Sequence, residues 1–575
     1  MAETWRLGDV EVTSGVWATM RDGCRLVADV YRPVTRTRPL PVVLLRIPYD
    51  RRQSSETSYA TPAWYARQGF IAVIQDTRGR FESEGEFVPF LHEAEDGYDT
   101  VEWAAHLEGA NGRVGTYGAS YAGYLQLLTA AAQPPSLSAI CPAVAGSDLY
   151  RDWFYQGGAF NLAFAAWWAA TLTIDVARRR RDDGAQPPLA RALSDSWRWY
   201  GSDAPYGLDP IGGGTPFYRE WLDHPRRDEY WLRRSVSELH DRIRVPALHV
   251  GGWYDVFNEG SVRNFVELSR TDPEQRMLMG PWAHQPWGTT VGTQDFGPRA
   301  GGPIVDRAQV DFFRRHLDPD GAGEAEGARV RYYVLFDSRW QEAETWPPEG
   351  AREQDWFLHS EGTANAAGGD GRLDSEGPGS EPCDIYAYDP ADPVPSLGGH
   401  SCCQEANAPM GAHDQALIEQ RKDVLVFTGE PLDRDLLLAG PVSVTLWIGA
   451  SAAGADVVAR LCLVGGGRSI NIAQGVWRAD QPLGVATMDE PLRVEIPLRN
   501  VAALAREGFR LRLHVTAGSF PMYDVNPQSG APVARARIDQ RRPATHVLHH
   551  DREHASKLTL TVLDRSPADS VAPAL

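Results

Sequence analysis

The stretch GTYGASYAGY, Gly115–Tyr124, holds a serine inside a glycine-rich turn. A short apolar run leads into this turn and predicts a strand, and a Leu- and Ala-rich run after it predicts a helix that ends before Pro134. A serine on a tight strand-to-helix turn is typical of the nucleophile elbow of α/β hydrolases, where Gly-x-Ser-x-Gly exposes the hydroxyl group beyond the strand end. The sequence therefore predicts that Ser120 is a catalytic nucleophile.

The second glycine of this turn, Gly123, comes one residue later than in the usual motif. A tight elbow needs small residues around the serine, and Gly118, Ala122 and Gly123 meet that need. One alternative is a glycine-rich turn that happens to contain a serine. A phosphate-binding loop is a second alternative, but it would need a lysine after the glycine, and none follows here.

An acid and a base follow Ser120 in the order that the α/β-hydrolase topology requires. Asp255 comes just after a predicted strand at 245–250, and His284 comes just after another at 275–279. Loops at the carboxyl ends of parallel strands are where such sheets present catalytic groups. We therefore predict His284 as the general base and Asp255 as the acid that orients it. The competing residues lie before or within these strands, as structural residues do: Asp241, His249 and Asp272.

Two hydrogen-bond donors are expected to hold the oxyanion that forms when the serine attacks. The backbone N–H of Tyr121, directly after the nucleophile, is the first. No HGGG-like loop follows the apolar run 42–45; the sequence there is Arg46-Ile-Pro-Tyr49. A phenol can donate one hydrogen bond, so the hydroxyl group of Tyr49 is the second candidate. On its position alone, a tyrosine that only packs in the core is an equal alternative.

The wider sequence predicts an α/β fold with two additions. Continuous apolar runs joined by helical segments indicate buried parallel strands. A segment rich in aromatic residues and arginine, without a clear strand pattern, indicates a helical cap inserted into the α/β-hydrolase domain. Short β-branched runs between Gly, Pro and Asp turns then indicate a jelly-roll β-sandwich. The predicted boundaries are 1–147 and 241–350 for the α/β-hydrolase domain, 148–240 for the cap and 351–575 for the jelly roll.

The composition argues against several classes of partner. The formal net charge of −19 repels phosphate backbones and anionic lipid headgroups, and the sequence has no run of about 18 apolar residues. We therefore expect a small-molecule ester or amide substrate, and neither nucleic acid nor a membrane as partner. The first residues lack the basic-then-apolar plan of a signal peptide, so a cytoplasmic location is expected.

The six cysteines are spread along the chain, without the density of a disulfide-stapled secreted domain. Cys402 and Cys403 are adjacent and His400 is near, which raises the question of a metal site. Zinc-binding thiolates usually have two to four residues between them, so we expect ordinary thiols here. The mechanism needs neither a metal nor an organic cofactor, and we predict none.

The motifs that carry these residues resemble the cocaine esterase family (the CocE/NonD hydrolases), relatives of X-Pro dipeptidyl-peptidases and α-amino-acid ester hydrolases. The late glycine is a trait of that family, whose elbow is similar to Gly-x-Ser-Tyr-x-Gly. The resemblance implies the three-part architecture, the triad of Ser120, Asp255 and His284, and oxyanion donors at Tyr49 and Tyr121. The similar segments extend over nearly the whole chain: MRDGCRLVADVYRP, RIPYDRR, VIQDTRGRFESEGEF, YGASYAGY, GGWYDVF, GPWAH, YDPADPVPSLGG and SFPMYD.

The same resemblance implies that Trp153, Trp168 and Phe257 line an acyl pocket for an aromatic or bulky apolar group. Trp167 is an alternative to Trp168, and a position in the core is the alternative role for Trp168. A homodimer is implied by the resemblance alone. The cap sequence from 172 to 231 has little in common with the family, which leaves the substrate open.

The leading hypothesis is a serine esterase that works through an acyl-enzyme intermediate. An X-Pro dipeptidyl-peptidase or α-amino-acid ester hydrolase is an alternative that needs carboxylates to hold a free amine. Asp148 or Asp152 could supply them, although helix-cap or surface roles also fit these two residues. The remaining alternatives are a biosynthetic tailoring enzyme that uses the triad for non-hydrolytic chemistry and a non-catalytic binding scaffold.

Overall fold

A computed structural model describes residues 2–53, 59–181, 184, 186–202, 205–208, 216–318, 327–479 and 483–564. The first part of the chain alternates strands and helices, as the apolar runs predict. Its elements are β1 (Glu3–Leu7), β2 (Val10–Thr19), β3 (Arg25–Pro33), β4 (Leu40–Ile47), α1 (Pro62–Arg67), β5 (Ile71–Asp76), α2 (Glu93–Ala105), β6 (Ala110–Ala119), α3 (Tyr121–Ala132) and β7 (Leu137–Ala143).

The segment after β7 is mainly helical. Two strands of two residues each form a small hairpin, and helices follow it. None of the described helices combines the length and the apolar character that crossing a bilayer requires. The elements are β8 (Tyr155–Gln156), β9 (Ala159–Phe160), α4 (Leu162–Arg179), α5 (Gln186–Ser194), α6 (Ser196–Ser202), α7 (Pro216–Asp223) and α8 (Glu229–Leu232).

The chain then returns to the first sheet. This part contains β10 (Leu248–Gly252), α9 (Asn258–Leu268), β11 (Arg276–Gly280), β12 (Thr290–Val291), β13 (Gln294–Asp295), α10 (Ile304–Leu317), β14 (Val330–Val334) and β15 (Arg339–Ala343). Within the described ranges, the first sheet has eleven strands in the order β1-β2-β3-β5-β4-β6-β7-β10-β11-β14-β15. The strands from β5 to β14 in this order are parallel, so their carboxyl ends meet at one edge.

Helices cover both faces of the parallel strands, which explains the continuous apolar runs. All residues of β4 are buried. Val43 and Leu45 pack into one hydrophobic core, whereas Val42 and Leu44 pack into the core on the other side. A strand buried on both faces needs no alternation of apolar and polar residues. The sequence pattern of this strand is therefore a direct consequence of its position in the sheet.

The last part of the chain is rich in strands, which form a second sheet. The elements of this part of the chain are β16 (Arg352–His359), β17 (Arg372–Asp374), β18 (Asp384–Tyr388), β19 (Val424–Gly429), β20 (Leu436–Ala450), β21 (Asp456–Gly465), β22 (Arg468–Arg478), α11 (Ala486–Asp489), β23 (Leu492–Ala505), β24 (Arg510–Thr516), β25 (Ala544–His549) and β26 (Lys557–Leu563). Apart from the parallel pair β17 and β19, the strand pairs are antiparallel.

Candidate active site

Ser120 occupies the single position between β6 and α3, and its backbone is strained there. Its φ is 61° and its ψ is −123°, a conformation that a residue with a Cβ rarely adopts. The Ser120 N–H donates to the Ala143 carbonyl (2.9 Å), and the Ser120 carbonyl accepts from the Tyr124 N–H (2.9 Å). Strain of this kind costs about 1–3 kcal/mol and is concentrated at functional sites. The backbone geometry is that of a nucleophile elbow.

The two glycines around Ser120 each make room for a close neighbour. Gly118 has a φ of 146°, and a Cβ there would lie 2.7 Å from the Ala122 Cβ. A Cβ on Gly123 would lie 2.5 Å from the Ala143 carbonyl oxygen. The late glycine thus lets the start of α3 pack directly on the end of β7. Ala122 can take the usual glycine position because Gly118 leaves space for its methyl group.

Asp255 and His284 meet at the carboxyl edge of the sheet. They follow β10 and β11, which are neighbouring parallel strands with Gly252 opposite Gly280. The His284 Nδ1 lies 2.7 Å from the Asp255 Oδ1, and both side chains are buried. A carboxylate can only accept, so Nδ1 carries the proton and donates it, which leaves Nε2 free to accept a proton. This is the arrangement that a general base requires.

The strand-rich carboxyl-terminal part supports the loop that carries Asp255. The hydroxyl group of Tyr254 donates to the Asn471 carbonyl (2.9 Å). The Nε2 of His400 donates to the Trp253 carbonyl (2.9 Å). Both residues before Asp255 are therefore fixed by groups that lie more than one hundred residues further along the chain. This support could not be read from the GGWYDVF motif.

The hydroxyl group of Tyr49 is placed as a hydrogen-bond donor. Tyr49 follows β4 and accepts a hydrogen bond from the Trp168 Nε1 (3.0 Å). Among the described residues, no acceptor receives its own proton. Burial raises the pKa of Tyr49 to about 12, so the phenol stays neutral and keeps this proton. Accepting one hydrogen bond also strengthens the hydroxyl group as a donor.

Tyr121 begins α3, and the N–H groups in the first turn of a helix have no partner within the helix. Its ring is anchored below the elbow. The Tyr121 hydroxyl group donates to Glu93 Oε1 (2.8 Å) and accepts from the Phe90 N–H (3.0 Å). Glu93 in turn forms a buried ion pair with Arg46 (3.0 Å). The sequence analysis identified Tyr121 but not this ion pair: Arg46 begins the RIPYDRR motif, and nothing in the sequence links it to Glu93.

The three predicted pocket residues form a buried aromatic cluster beside His284. The ring centres of Trp153 and Phe257 are 4.3 Å apart, and those of Trp153 and Trp168 are 5.4 Å apart. Phe257 lies 5.4 Å from the His284 ring. Trp168 is almost fully buried, whereas its alternative Trp167 is partly exposed. Trp221 of α7, which the sequence did not indicate, stacks on Trp168 at 5.4 Å.

The two carboxylates considered for binding a substrate amine are both paired with arginines. Asp148 accepts from the Arg227 Nε (2.7 Å). Asp152 accepts from the Arg263 Nη1 (3.1 Å) and from the backbone N–H of Ser147 (2.7 Å). The positive charge of an arginine therefore already balances the negative charge of each carboxylate.

The expectation of ordinary thiols at Cys402 and Cys403 is wrong. The structure joins the two adjacent residues as a disulfide. Their sulfur atoms and a ring nitrogen of His284 all lie within 4.8 Å of one another. The chain brings this pair to the active site from the strand-rich part, about 120 residues beyond His284, and the local sequence carries no signal of that approach.

The chain is similar to known proteins over most of its length. The family model of the X-Pro dipeptidyl-peptidase (S15 family) matches residues 22–286, and that of the X-Pro dipeptidyl-peptidase C-terminal non-catalytic domain matches residues 324–559. The chain is 34% identical to the cocaine esterase of Rhodococcus sp. (strain MB1 Bresler), over 97% of this chain and 100% of the other. The chain therefore belongs to the cocaine esterase family of S15-type hydrolases. It is an enzyme of the serine hydrolase class, with an α/β-hydrolase-like fold and a strand-rich, non-catalytic carboxyl-terminal domain.

Two solved structures share the fold of this S15 family member at low sequence identity. An aminopeptidase from the marine sediment archaeon Thaumarchaeota archaeon has a TM-score of 0.82 and 24% identity, over 98% of this chain and 99% of the other. An α-amino acid ester hydrolase has a TM-score of 0.80 and 23% identity, over 97% and 98% of the two chains. At this identity the likeness concerns the fold and does not choose between substrates.

Proposed function

We propose that this S15 family member hydrolyses carboxylic esters through an acyl-enzyme intermediate on Ser120. The observation that carries the proposal is the 2.7 Å hydrogen bond between His284 and Asp255 at the sheet edge where the strained Ser120 directly follows β6. Ester hydrolysis is also what the name of the similar Rhodococcus protein indicates for that protein.

The proposed reaction starts when the Ser120 hydroxyl oxygen attacks the ester carbonyl carbon. Nε2 of His284 accepts the serine proton, and Asp255 stabilises the imidazolium that forms. The carbonyl oxygen becomes an oxyanion, which the Tyr49 hydroxyl group and the Tyr121 N–H stabilise. His284 then gives its proton to the leaving alcohol. In the second half-reaction, a water molecule loses a proton to His284 and attacks the acyl-enzyme, which releases the acid and restores Ser120.

We assign the acyl group to the aromatic cluster of Trp153, Trp168 and Phe257. Phe257 of this cluster lies against the His284 ring, and Trp168 donates a hydrogen bond to Tyr49, the proposed oxyanion donor. An apolar, aromatic wall favours a bulky or aromatic acyl group over a charged one. The arginine pairing of Asp148 and Asp152 favours an ester without a free amine over the peptidase or amino-ester alternative.

We also propose that the helices within 148–240 act as a cap and that 351–575 forms the jelly-roll domain. The cap role is supported by contacts over the elbow: α4 supplies Trp168, and α7 supplies Trp221, which stacks on it. The predicted boundaries of the α/β-hydrolase domain, 1–147 and 241–350, bracket this helical segment. The cap therefore contributes both to the acyl pocket and to the orientation of Tyr49.

The proposal is tested by measuring hydrolysis of matched substrates. We expect turnover of the nitrophenyl esters of acetic and benzoic acid, with kcat/KM higher for the benzoate, and much slower turnover of an Ala-Pro anilide. The Ser120→Ala variant, checked for the wild-type fold by circular dichroism, should be inactive on all three. Faster turnover of the anilide than of either ester would contradict the proposal and favour the peptidase alternative.

A further inference from the structure

The disulfide-bonded pair Cys402 and Cys403 lies in the active site, next to the general base. Both sulfur atoms and a ring nitrogen of His284 are within 4.8 Å of one another. Cys402 is buried and Cys403 is partly exposed. Cys402 belongs to the buried apolar cluster that contains Trp153, and Cys403 packs against that cluster. Reduction of this disulfide would place two thiol groups beside an imidazole in one apolar site, and these are ligands that soft metal ions prefer.

The loop that carries the two cysteines is held in place at several points. Gly399 and Gly411 exchange two backbone hydrogen bonds (2.7 and 2.9 Å), which close the loop at its base. Gln404 accepts a hydrogen bond from Ser196 of α6 (2.9 Å). The loop is thus fixed to the strand-rich domain at one end and to the helical segment at its tip. The approach of the cysteines to His284 is part of the folded structure.

The hydrogen bond to Asp255 also prepares His284 as a metal ligand. A histidine that binds a metal commonly donates its other ring N–H to a carboxylate, which fixes the tautomer and makes the ligating nitrogen more basic. His284 donates Nδ1–H to Asp255 at 2.7 Å. The same dyad that accepts the serine proton can therefore present Nε2 to a metal ion.

We propose that Cys402, Cys403 and His284 form a binding site for one soft divalent metal ion, and that the disulfide controls whether the site exists. Reduction of the disulfide by a dithiol adds two electrons and two protons, which gives two thiols and leaves the reductant as a disulfide. One metal ion such as Cd²⁺ or Zn²⁺ then displaces both thiol protons and binds two thiolates and the His284 nitrogen. The ion occupies the lone pair that must accept the serine proton, so ester hydrolysis stops.

The geometry allows such a site with small movements. With metal–ligand bonds of about 2.0–2.3 Å, the ligand atoms around a tetrahedral zinc ion lie about 3.5–3.8 Å apart. The present limit of 4.8 Å requires the nitrogen and sulfur atoms to approach by about 1.3 Å at most. Reduction frees the two sulfur atoms to separate. The missing spacer between the cysteines argues against a zinc site built from this pair alone, but His284 supplies the third ligand from another part of the fold.

The binding step is tested with Cd²⁺ on the full-length protein. Reduced protein, freed of reductant, should bind one Cd²⁺ with the ultraviolet charge-transfer absorption of cadmium–thiolate bonds, whereas oxidised protein should not. The Cys402→Ser/Cys403→Ser variant should lack this absorption, and the control Cys383→Ser should keep it. Any Cd²⁺ that the double serine variant still binds must use other ligands, for example the cluster of His549, Asp551 and His554. The His284→Gln variant should bind Cd²⁺ at least about tenfold more weakly.

The effect on hydrolysis rests on the proposed function and is measured separately. Saturating Cd²⁺ should lower the ester hydrolysis rate of the reduced wild type at least tenfold, relative to its own metal-free rate, and a chelator should restore it. The proposal is overturned if the reduced wild type and the double serine variant bind Cd²⁺ alike. It is also overturned if Cd²⁺ bound by the two thiolates leaves hydrolysis unchanged. A protein that binds Cd²⁺ as expected but never hydrolyses esters would refute the proposed function instead, because the absorption does not depend on activity.

Discussion

Replacement of Tyr49 by phenylalanine removes one of the two proposed oxyanion donors and keeps the ring. The Tyr49 hydroxyl group is neutral and accepts from the Trp168 Nε1, so its own proton is available to the substrate oxygen. Loss of one preorganised donor typically lowers kcat by about 100- to 1,000-fold, or about 2.7–4 kcal/mol in the activation free energy. We expect Tyr49→Phe to lower kcat by about 100-fold and to change KM by less than about threefold, because the donor acts in the transition state.

The matched control is Tyr200→Phe, which deletes another buried hydroxyl group, one that donates to the Ala163 carbonyl (2.9 Å). Steady-state kinetics on an aryl ester and the urea midpoint of unfolding are measured for both variants. Tyr49→Phe also leaves the Trp168 N–H without its acceptor, which costs about 1–3 kcal/mol of stability. The reasoning is refuted if Tyr49→Phe keeps kcat within threefold of the wild type, or if Tyr200→Phe loses as much kcat at equal stability.

Three further predictions concern the acid, the indole donor and a buried histidine. Asp255→Asn should lower kcat by about 10,000-fold at neutral pH, because an amide no longer fixes the required tautomer; a loss below tenfold in steady-state kinetics would contradict this. Trp168→Phe should lower kcat about fivefold, the equivalent of one neutral hydrogen bond of about 1 kcal/mol; kinetics as good as the wild type would refute the orienting role. Burial lowers the pKa of His249 from 6.5 to about 4, so the unfolded chain binds more protons between these values and stability falls as the pH falls. When the pH is lowered from 7 to 5, this residue should therefore reduce the free energy of unfolding by about 1.8 kcal/mol. Urea unfolding should show a smaller pH-dependent loss in His249→Gln and the wild-type loss in the exposed control His106→Gln.

The elements that carry the triad could be predicted because their signals are local. The strand predicted at 275–279 corresponds to β11, and the helix after the elbow, α3, ends at Ala132, before Pro134 as predicted. The strand before Asp255 was predicted from Val245, but it begins at Leu248. The reason lies in Pro246, which has no N–H to donate to a sheet.

The remaining features depend on contacts between distant parts of the chain. Trp221 reaches Trp168 only because the helices between β7 and β10 fold back over the elbow. The disulfide pair reaches His284 only through a loop of the strand-rich domain. Neither contact has a periodicity or a spacing that a single sequence could reveal. The Arg46–Glu93 ion pair below Tyr121 was missed for the same reason.

The strand-rich domain contributes to the active site without supplying a triad residue. It fixes Trp253 and Tyr254 next to Asp255 through His400 and Asn471. The same domain places Cys402 and Cys403 beside His284. Its family description as non-catalytic therefore agrees with a supporting role, in which it orients the acid loop and adds a disulfide-bonded pair to the site.

The most direct test of the central claim is to map where a fluorophosphonate reacts with the folded protein. The reagent forms a covalent bond with an activated serine, and mass spectrometry of the peptides locates the adduct. We predict one adduct, on Ser120, none in the Ser120→Ala variant, and loss of ester hydrolysis in step with labelling. An adduct on another serine, or full hydrolytic activity after Ser120 has been labelled or replaced, would contradict the assignment of Ser120 as the nucleophile.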